Sequence, residues 1–155
     1  MPDCTELTIL DATLALIQAD TLTESPVFSS YGRSRPATLV GVRLPAVYVE
    51  LAPDGIEELM VGMSGGKSDS ILNLDFIVVA YDGETEDARD ASLNLAKLVK
   101  RVLGRIANRK QGSQAWRYAT FRSPAIAPGY IEEAGRRVRT AVVRWKCEFA
   151  ENLEA

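Results

Sequence analysis

Apolar residues recur along this chain in two rhythms, and the change from one to the other lays out the secondary structure. From about Thr5 to Ala19, Leu7, Leu10, Leu14 and Ile17 fall on one helical face with Ile9 beside them, and Asp3 or Thr5 can cap the start. A second helix is predicted from about Thr85 to Ala107, with Ala88, Ala91, Leu95, Leu98, Val99, Val102 and Ile106 as its stripe. Its acids (Glu86, Asp87, Asp90) lie near the start and its bases (Lys100, Arg101, Arg105) near the end, which complements the helix dipole.

Elsewhere the rhythm is two. Leu44 to Leu51 sets Val47, Val49 and Leu51 against Tyr48 and Glu50, with Pro45 confining the start to an edge or first position. Ile71 to Tyr81 is β-branched and aromatic, with Asn73 and Asp75 interleaved. Trp116 to Arg122 sets Trp116, Tyr118 and Thr120 against Arg117, Ala119 and Phe121. Val138 to Ala150 puts Ala141, Val143, Trp145, Cys147 and Phe149 on a core face and Thr140, Arg144, Lys146 and Glu148 outward.

Punctuation completes the plan. Residues 20 to 43 form a long polar connection containing Ser25-Pro26, Gly32 and Arg35-Pro36. Pro53-Asp54-Gly55, Ser123-Pro124 and Pro128-Gly129 read as turns, and Ile56 to Met63 as an irregular extended arm returning along the sheet. The fold class expected is α+β: an antiparallel or mixed sheet with helices packed on one face, in the order α-β-β-α-β-β, with an extended β-hairpin arm. One domain spanning residues 1–155 is the simplest organisation, and Trp145 and Phe149 leave room for a second buried surface at a subunit contact.

Val61 to Ser68, VGMSGGKS, looks like a phosphate-binding loop. A Walker loop needs glycine five residues before Gly66-Lys67-Ser68, where Val61 stands, and a helix after it, where a strand pattern begins. A Gly/Ser turn between strands is the better reading.

Composition narrows the function classes. The chain has no histidine, which removes Ser-His-Asp and Cys-His nucleophile systems and most zinc catalysis. Its two cysteines, Cys4 and Cys147, lack metal or redox spacing. Asp69, Asp75 and Asp82 lie in or around one strand, with Asp75 and Asp82 too far apart to share a metal unaided. A net charge of −3 gives no basic footprint for nucleic acid, although Arg136, Arg137 and Arg139 beside Trp116, Tyr118 and Phe121 have suitable residue types. No apolar run is long enough to span a bilayer and no signal layout opens the chain, so a soluble, intracellular, non-enzymatic protein without cofactor or metal is expected.

The order of elements resembles the tail terminator (tail completion) proteins of long-tailed phages. The carrying features are the helix Leu7 to Ile17, the strand LPAVYVEL after a long connection, LNLDFIVVAYD running into GETEDARDASLNLAKLVKRVL, and the closing pair WRYATFRSPAIAPGY and RRVRTAVVRWKCEFAEN. The match is one of layout over nearly the whole chain.

The resemblance implies a virion structural protein that forms a ring, a homohexamer, at the head-proximal end of the tail. There it would stop tail-tube polymerisation and meet the head–tail connector or stopper, with DNA passing through the channel unbound. Assembly would occur in the bacterial host cytoplasm. Another neck, stopper or minor tail protein, and a small-ligand-binding α/β domain, are the alternatives.

On that reading the interface candidates are Tyr31, Arg33 and Arg35 in the long connection, Met60, Met63 and Lys67 on the arm, and Tyr130, Glu132, Arg136 and Arg137 near the last turn. A surface connection, a disordered loop and ordinary surface charge explain the same residues as well. Trp116, Tyr130 and Trp145 are candidate buried anchors, with core packing the simpler role for Trp145.

Overall fold

The computed structural model describes residues 5–19, 28–61, 67–82, 86–105, 116, 118–133 and 135–152. Seven elements follow in chain order: α1 (Thr5–Gln18), β1 (Ser30–Gly32), β2 (Ala46–Val61), β3 (Lys67–Asp82), α2 (Glu86–Leu103), β4 (Tyr118–Glu133) and β5 (Arg136–Asn152). The class is α+β, a five-stranded mixed sheet in the order β1-β2-β3-β5-β4. The expected order α-β-β-α-β-β lacked β1. That strand is three residues long and pairs in parallel with β2, Ser30 to Gly32 lying against Ala46 to Tyr48. So short a parallel pairing has no period to read and depends wholly on β2 being in place.

The four long strands are antiparallel, and β3 and β5 pair from Lys67/Asn152 to Asp82/Val138. Two expected turns lie inside strands. Pro53-Asp54-Gly55 sits in β2 where the register with β3 shifts between Leu51 and Ile56, and Gly55 has φ +59°. Ser123-Pro124 sits in β4 where the register with β5 shifts between Phe121 and Ile126. Both are bulges: extra residues are looped out, proline needs no ladder partner, and the strand resumes beyond. Pro128-Gly129 lies in the resumed part of β4 with regular partners Ala141 and Thr140.

The distal part of β2 remains paired to β3 as far as Val61/Ser68, and β5 flanks β3 on its other side out to Asn152. This end of the molecule is therefore three strands wide where a lone hairpin arm was expected.

Helices cover one face. Val47 and Val49 of β2, Leu72, Leu74, Phe76 and Val78 of β3, and Ala141, Val143, Trp145, Cys147 and Phe149 of β5 form the main core with Ile9, Leu10 and Ile17 of α1 and Ala96, Val99 and Leu103 of α2. Trp145 is fully buried, with Trp116 edge-on at 5.2 Å and Phe76 at 5.9 Å between ring centroids. These aromatic contacts place Trp145 in the subunit's own core, and Phe149 lies in the same cluster.

α1 buries Ile9, Leu10, Thr13 and Ile17, while Leu7 and Leu14 are partly covered. The Thr13 hydroxyl is satisfied by donating to the Leu10 carbonyl at 2.8 Å. α2 stops at Leu103, and the Gly104 amide donates back to the Lys100 carbonyl at 2.8 Å.

A second, smaller core lies on the opposite sheet face: Leu39 packs with Ala46, Tyr48, Ile77, Val79 and Val138, flanked by Val42, Leu44, Ile131 and Val142. The connection from β1 to β2 supplies the cover. It is held by Glu133, whose carboxylate accepts hydrogen bonds from the Leu39 amide (2.8 Å) and the Thr38 hydroxyl. Trp145 and Phe149, which suggested a second buried surface, take no part in this smaller core.

Candidate interaction surfaces

The end of the β4–β5 hairpin gathers three of the sequence candidates. Glu132 and Arg137 are register partners, and the Arg137 guanidinium donates to the Glu132 carboxylate at 2.6 Å while lying 4.3 Å from the Tyr130 ring centroid. Tyr130 is 53% exposed, so the stack is an outward-facing platform. Arg136 pairs through its backbone with Glu133 across the turn at Gly135, whose φ of +78° suits glycine; its side chain lies outside the described residues.

The other candidates fall elsewhere. Tyr31 is turned inward: its ring packs on the main core and meets Phe28 edge-on at 5.9 Å, and burial pushes its phenol above the usual tyrosine value. Arg33 lies 3.6 Å from Asp11 of α1. Arg35 is bound to Glu50, donating from its amide at 2.9 Å and from Nε at 3.2 Å. These two arginines therefore tie the connection to its own subunit. Met60 pairs with Asp69 and Lys67 with Asn152 through the backbone; both side chains, and the whole of Met63, lie outside the described residues.

On the second face the sheet carries a charged ladder that the sequence reading did not assemble. Glu50, Asp75 and Arg144 are register neighbours on β2, β3 and β5. Above them Arg122, in the β4 bulge, reaches Asp75 at 3.0 Å and Asp54, in the β2 bulge, at 2.6 Å. Arg122 is buried, and Arg144 donates to the Ser123 carbonyl at 3.2 Å. The hydrogen bond from Arg122 holds Asp54 below the usual carboxylate value. Burial pushes Asp75 above it, against the pull of Arg122 and Arg144. The two bulges are thus fastened together by one guanidinium, a structural use of charges that an alternation pattern scores as solvated.

Two open patches lie toward opposite edges of the sheet. Between α2 and the β4–β5 pair runs a groove of about 460 Å³, floored by Ile126, Pro128 and Ala141 and rimmed by Leu93, Arg89, Lys97, Lys100 and Arg139. Among the described residues no carboxylate pairs with any of these four cations; Lys100 instead lies 5.6 Å from the Phe121 ring centroid. Among the described residues Asp90 is the one acid on the rim.

The other patch is the outer edge of β2 beyond Tyr48, which no described strand pairs. There Leu51 and Ile56 are 42% and 47% exposed, while Asp54 is bound by Arg122 and Glu57 accepts from the Asn73 amide at 3.4 Å on the other face. The alternation groups Leu51 with Val47 and Val49. Leu51 lies on the helix-bearing side opposite Leu74, but at a strand edge that neither helix fully covers.

Among the described residues no three His, Cys, Asp or Glu side chains cluster to hold a metal ion, and none of their helices is long and apolar enough to cross a membrane. Cys147 is buried under the helices with its thiol pushed up to about 12, so thiolate is scarce at neutral pH. Cys4 lies outside the described residues. No protein-family profile and no curated protein matches the chain.

Proposed function

We propose that this chain is a virion structural subunit of the tail-terminator kind, closing a phage tail tube as a ring and meeting the head-side connector. The reading rests on the order of elements that resembles such proteins. One structural observation supports it further: two unlike open surfaces, a groove rimmed by Arg89, Lys97, Lys100 and Arg139 and a strand edge exposing Leu51 and Ile56, lie toward opposite edges of a single sheet. A cyclic assembly is built from such heterologous contacts, each copy offering one patch to the neighbour ahead and the other to the neighbour behind. The Tyr130–Arg137 platform and the distal β2–β3 end are then the surfaces left for the tube and the connector. Other neck and stopper proteins share these requirements and differ in partner.

A second reading has its own observation. The α2–β4 groove has a size and apolar floor suited to a small molecule, with cations placed to orient an anionic group. That reading makes the chain a ligand-binding domain.

Purified protein mixed with polymerising tail-tube subunits and imaged by negative stain tests the proposal. Tubes of limited length with an added ring of density at one end are expected. Tubes whose length and ends do not change with added protein would remove it.

A further inference from the structure

We infer that the groove between α2 and β4 binds a small organic carboxylate with an apolar body, the carboxylate held by Arg139 and the α2 lysines and the body laid on Ile126, Pro128 and Ala141. The inference deepens the ligand-binding reading by naming the class of ligand, and it rests on that reading and not on the ring.

Arg139 selects an anion. It stands two residues before Ala141, at the head of the β5 stripe of Ala141, Val143, Trp145, Cys147 and Phe149 that faces the helices. An arginine thus occupies a position that the strand otherwise gives to the core. Its Nε is buried without a hydrogen-bond partner, and among the described residues no carboxylate pairs with the guanidinium. A charged donor taken from water with no internal acceptor is costly to the fold. Arg139 lines the groove, where a carboxylate can accept from the fork through both of its oxygens.

Helix α2 supplies the rest of the cradle. Arg89, Leu93, Lys97 and Lys100 recur at helical spacing, so they form a second stripe beside the buried one, and all four line the groove. Like charges gathered in this way repel one another, and an anion between them turns the interaction favourable.

The floor selects the body. Ile126 packs on the main core, Pro128 and Ala141 lie beside it, and Leu93 on the rim is 47% exposed. A bare inorganic anion would leave this apolar surface in water. An aliphatic or aromatic body covers it, and a groove of about 460 Å³ has the size of a small-molecule site.

Decanoate and naphthoate, each beside its uncharged alcohol, decanol and naphthol, test this by isothermal titration calorimetry on the full-length chain. Each carboxylate is expected to bind about 10-fold or more tightly than its alcohol, with affinity falling as salt is raised. Arg139→Gln should weaken the carboxylates by about 10- to 100-fold and leave the alcohols unchanged. Lys97→Gln, at an exposed position, should act in the same sense with no demand on folding. Leu93→Ser should weaken carboxylates and alcohols alike.

Carboxylates that bind no better than their alcohols, or that bind Arg139→Gln and Lys97→Gln as they bind wild type, would overturn the inference. If the alcohols bind as well as the carboxylates and lose affinity in Leu93→Ser, the ligand-binding reading stands and the ligand class is wrong. If none of the four probes binds, both are wrong. Light scattering on the same proteins covers the other occupant: a wild-type oligomer dispersed by Arg139→Gln and Lys97→Gln would seat a second copy in the groove and overturn the inference.

Discussion

Arg122 lies 2.6 Å from Asp54 and 3.0 Å from Asp75, and the two carboxylates it holds are shifted in opposite directions. Asp54 stands in water and takes the benefit of the hydrogen bond; Asp75 is partly buried, and loss of hydration outweighs the same guanidinium. The linkage therefore has two signs. Asp54, with a depressed folded value, contributes stability above its unfolded value that is lost as pH falls through the folded one. Asp75, with a raised folded value, contributes stability below its unfolded value that is lost as pH rises through the folded one.

Wild type should therefore lose stability relative to Asp75→Asn as pH rises through roughly the carboxylate range, pH 3 to 7. Urea midpoints of the two proteins across that range check it, and a difference sloping the other way would refute the assignment. In Arg122→Gln, carboxylate NMR titrations should show both Asp54 and Asp75 moved upward. Stability should fall by about 2–3 kcal/mol from the Arg122–Asp75 pair, less than the roughly 3–5 of a fully buried pair because Asp75 keeps some water.

The β2 bulge depends on the left-handed residue inside it. Gly55 has φ +59° and open space where a Cβ would stand, so Gly55→Ala adds backbone strain and no collision. The expected cost is about 1 kcal/mol, read as a lowered urea midpoint with unchanged m-value. A neutral result would mean that the bulge can rearrange.

Glu133 fastens the β1–β2 connection through Thr38 and Leu39, residues 95 and 94 positions away. In Glu133→Ala the Leu39 amide should lose hydrogen-exchange protection and stability should drop by about 1–3 kcal/mol. Retained protection at Leu39 would show that the second core holds the connection without the clasp.

Cys147 should be silent in the native protein. In a Cys4→Ser background, a thiol reagent at neutral pH should react only at the rate of global opening and immediately in denaturant, since a thiol pushed up to about 12 and covered by helices offers neither thiolate nor access. Fast native reaction would contradict the packing of β5 against α2.

The helices and β3 and β5 were legible because each repeats its apolar rhythm long enough to be unmistakable. β5 was read face by face, down to Trp145, Cys147 and Phe149. β2 and β4 were cut short because Pro53-Asp54-Gly55 and Ser123-Pro124 carry the same local chemistry in a bulge as in a turn, and only the strand across the ladder decides which forms. In β4 the alternation did not say which set faces the core. Trp116 enters the core just before the strand, and Ala119 follows it inward, leaving Tyr118 44% exposed.

The second core escaped for a related reason. Leu39, Val42 and Leu44 have no period, because they cover a sheet from an irregular segment. Tyr130, Glu132 and Arg137 were singled out from residue type alone, and the β4–β5 register brings them together. Arg89, Leu93 and Lys97 were hidden by reading α2 only for its buried stripe.

The sheet order has a consequence for how the subunit comes into being. β5, the last described strand in the chain, lies inside the sheet between β3 and β4. As the chain leaves the ribosome, β3 waits with one bare edge until residues 136–152 emerge, and β4 has no described strand to lie against in the meantime. Trp116 likewise waits for Trp145. The groove on α2 and β4 cannot exist before that strand is seated, because Arg139, Thr140 and Ala141 of β5 form part of its lining.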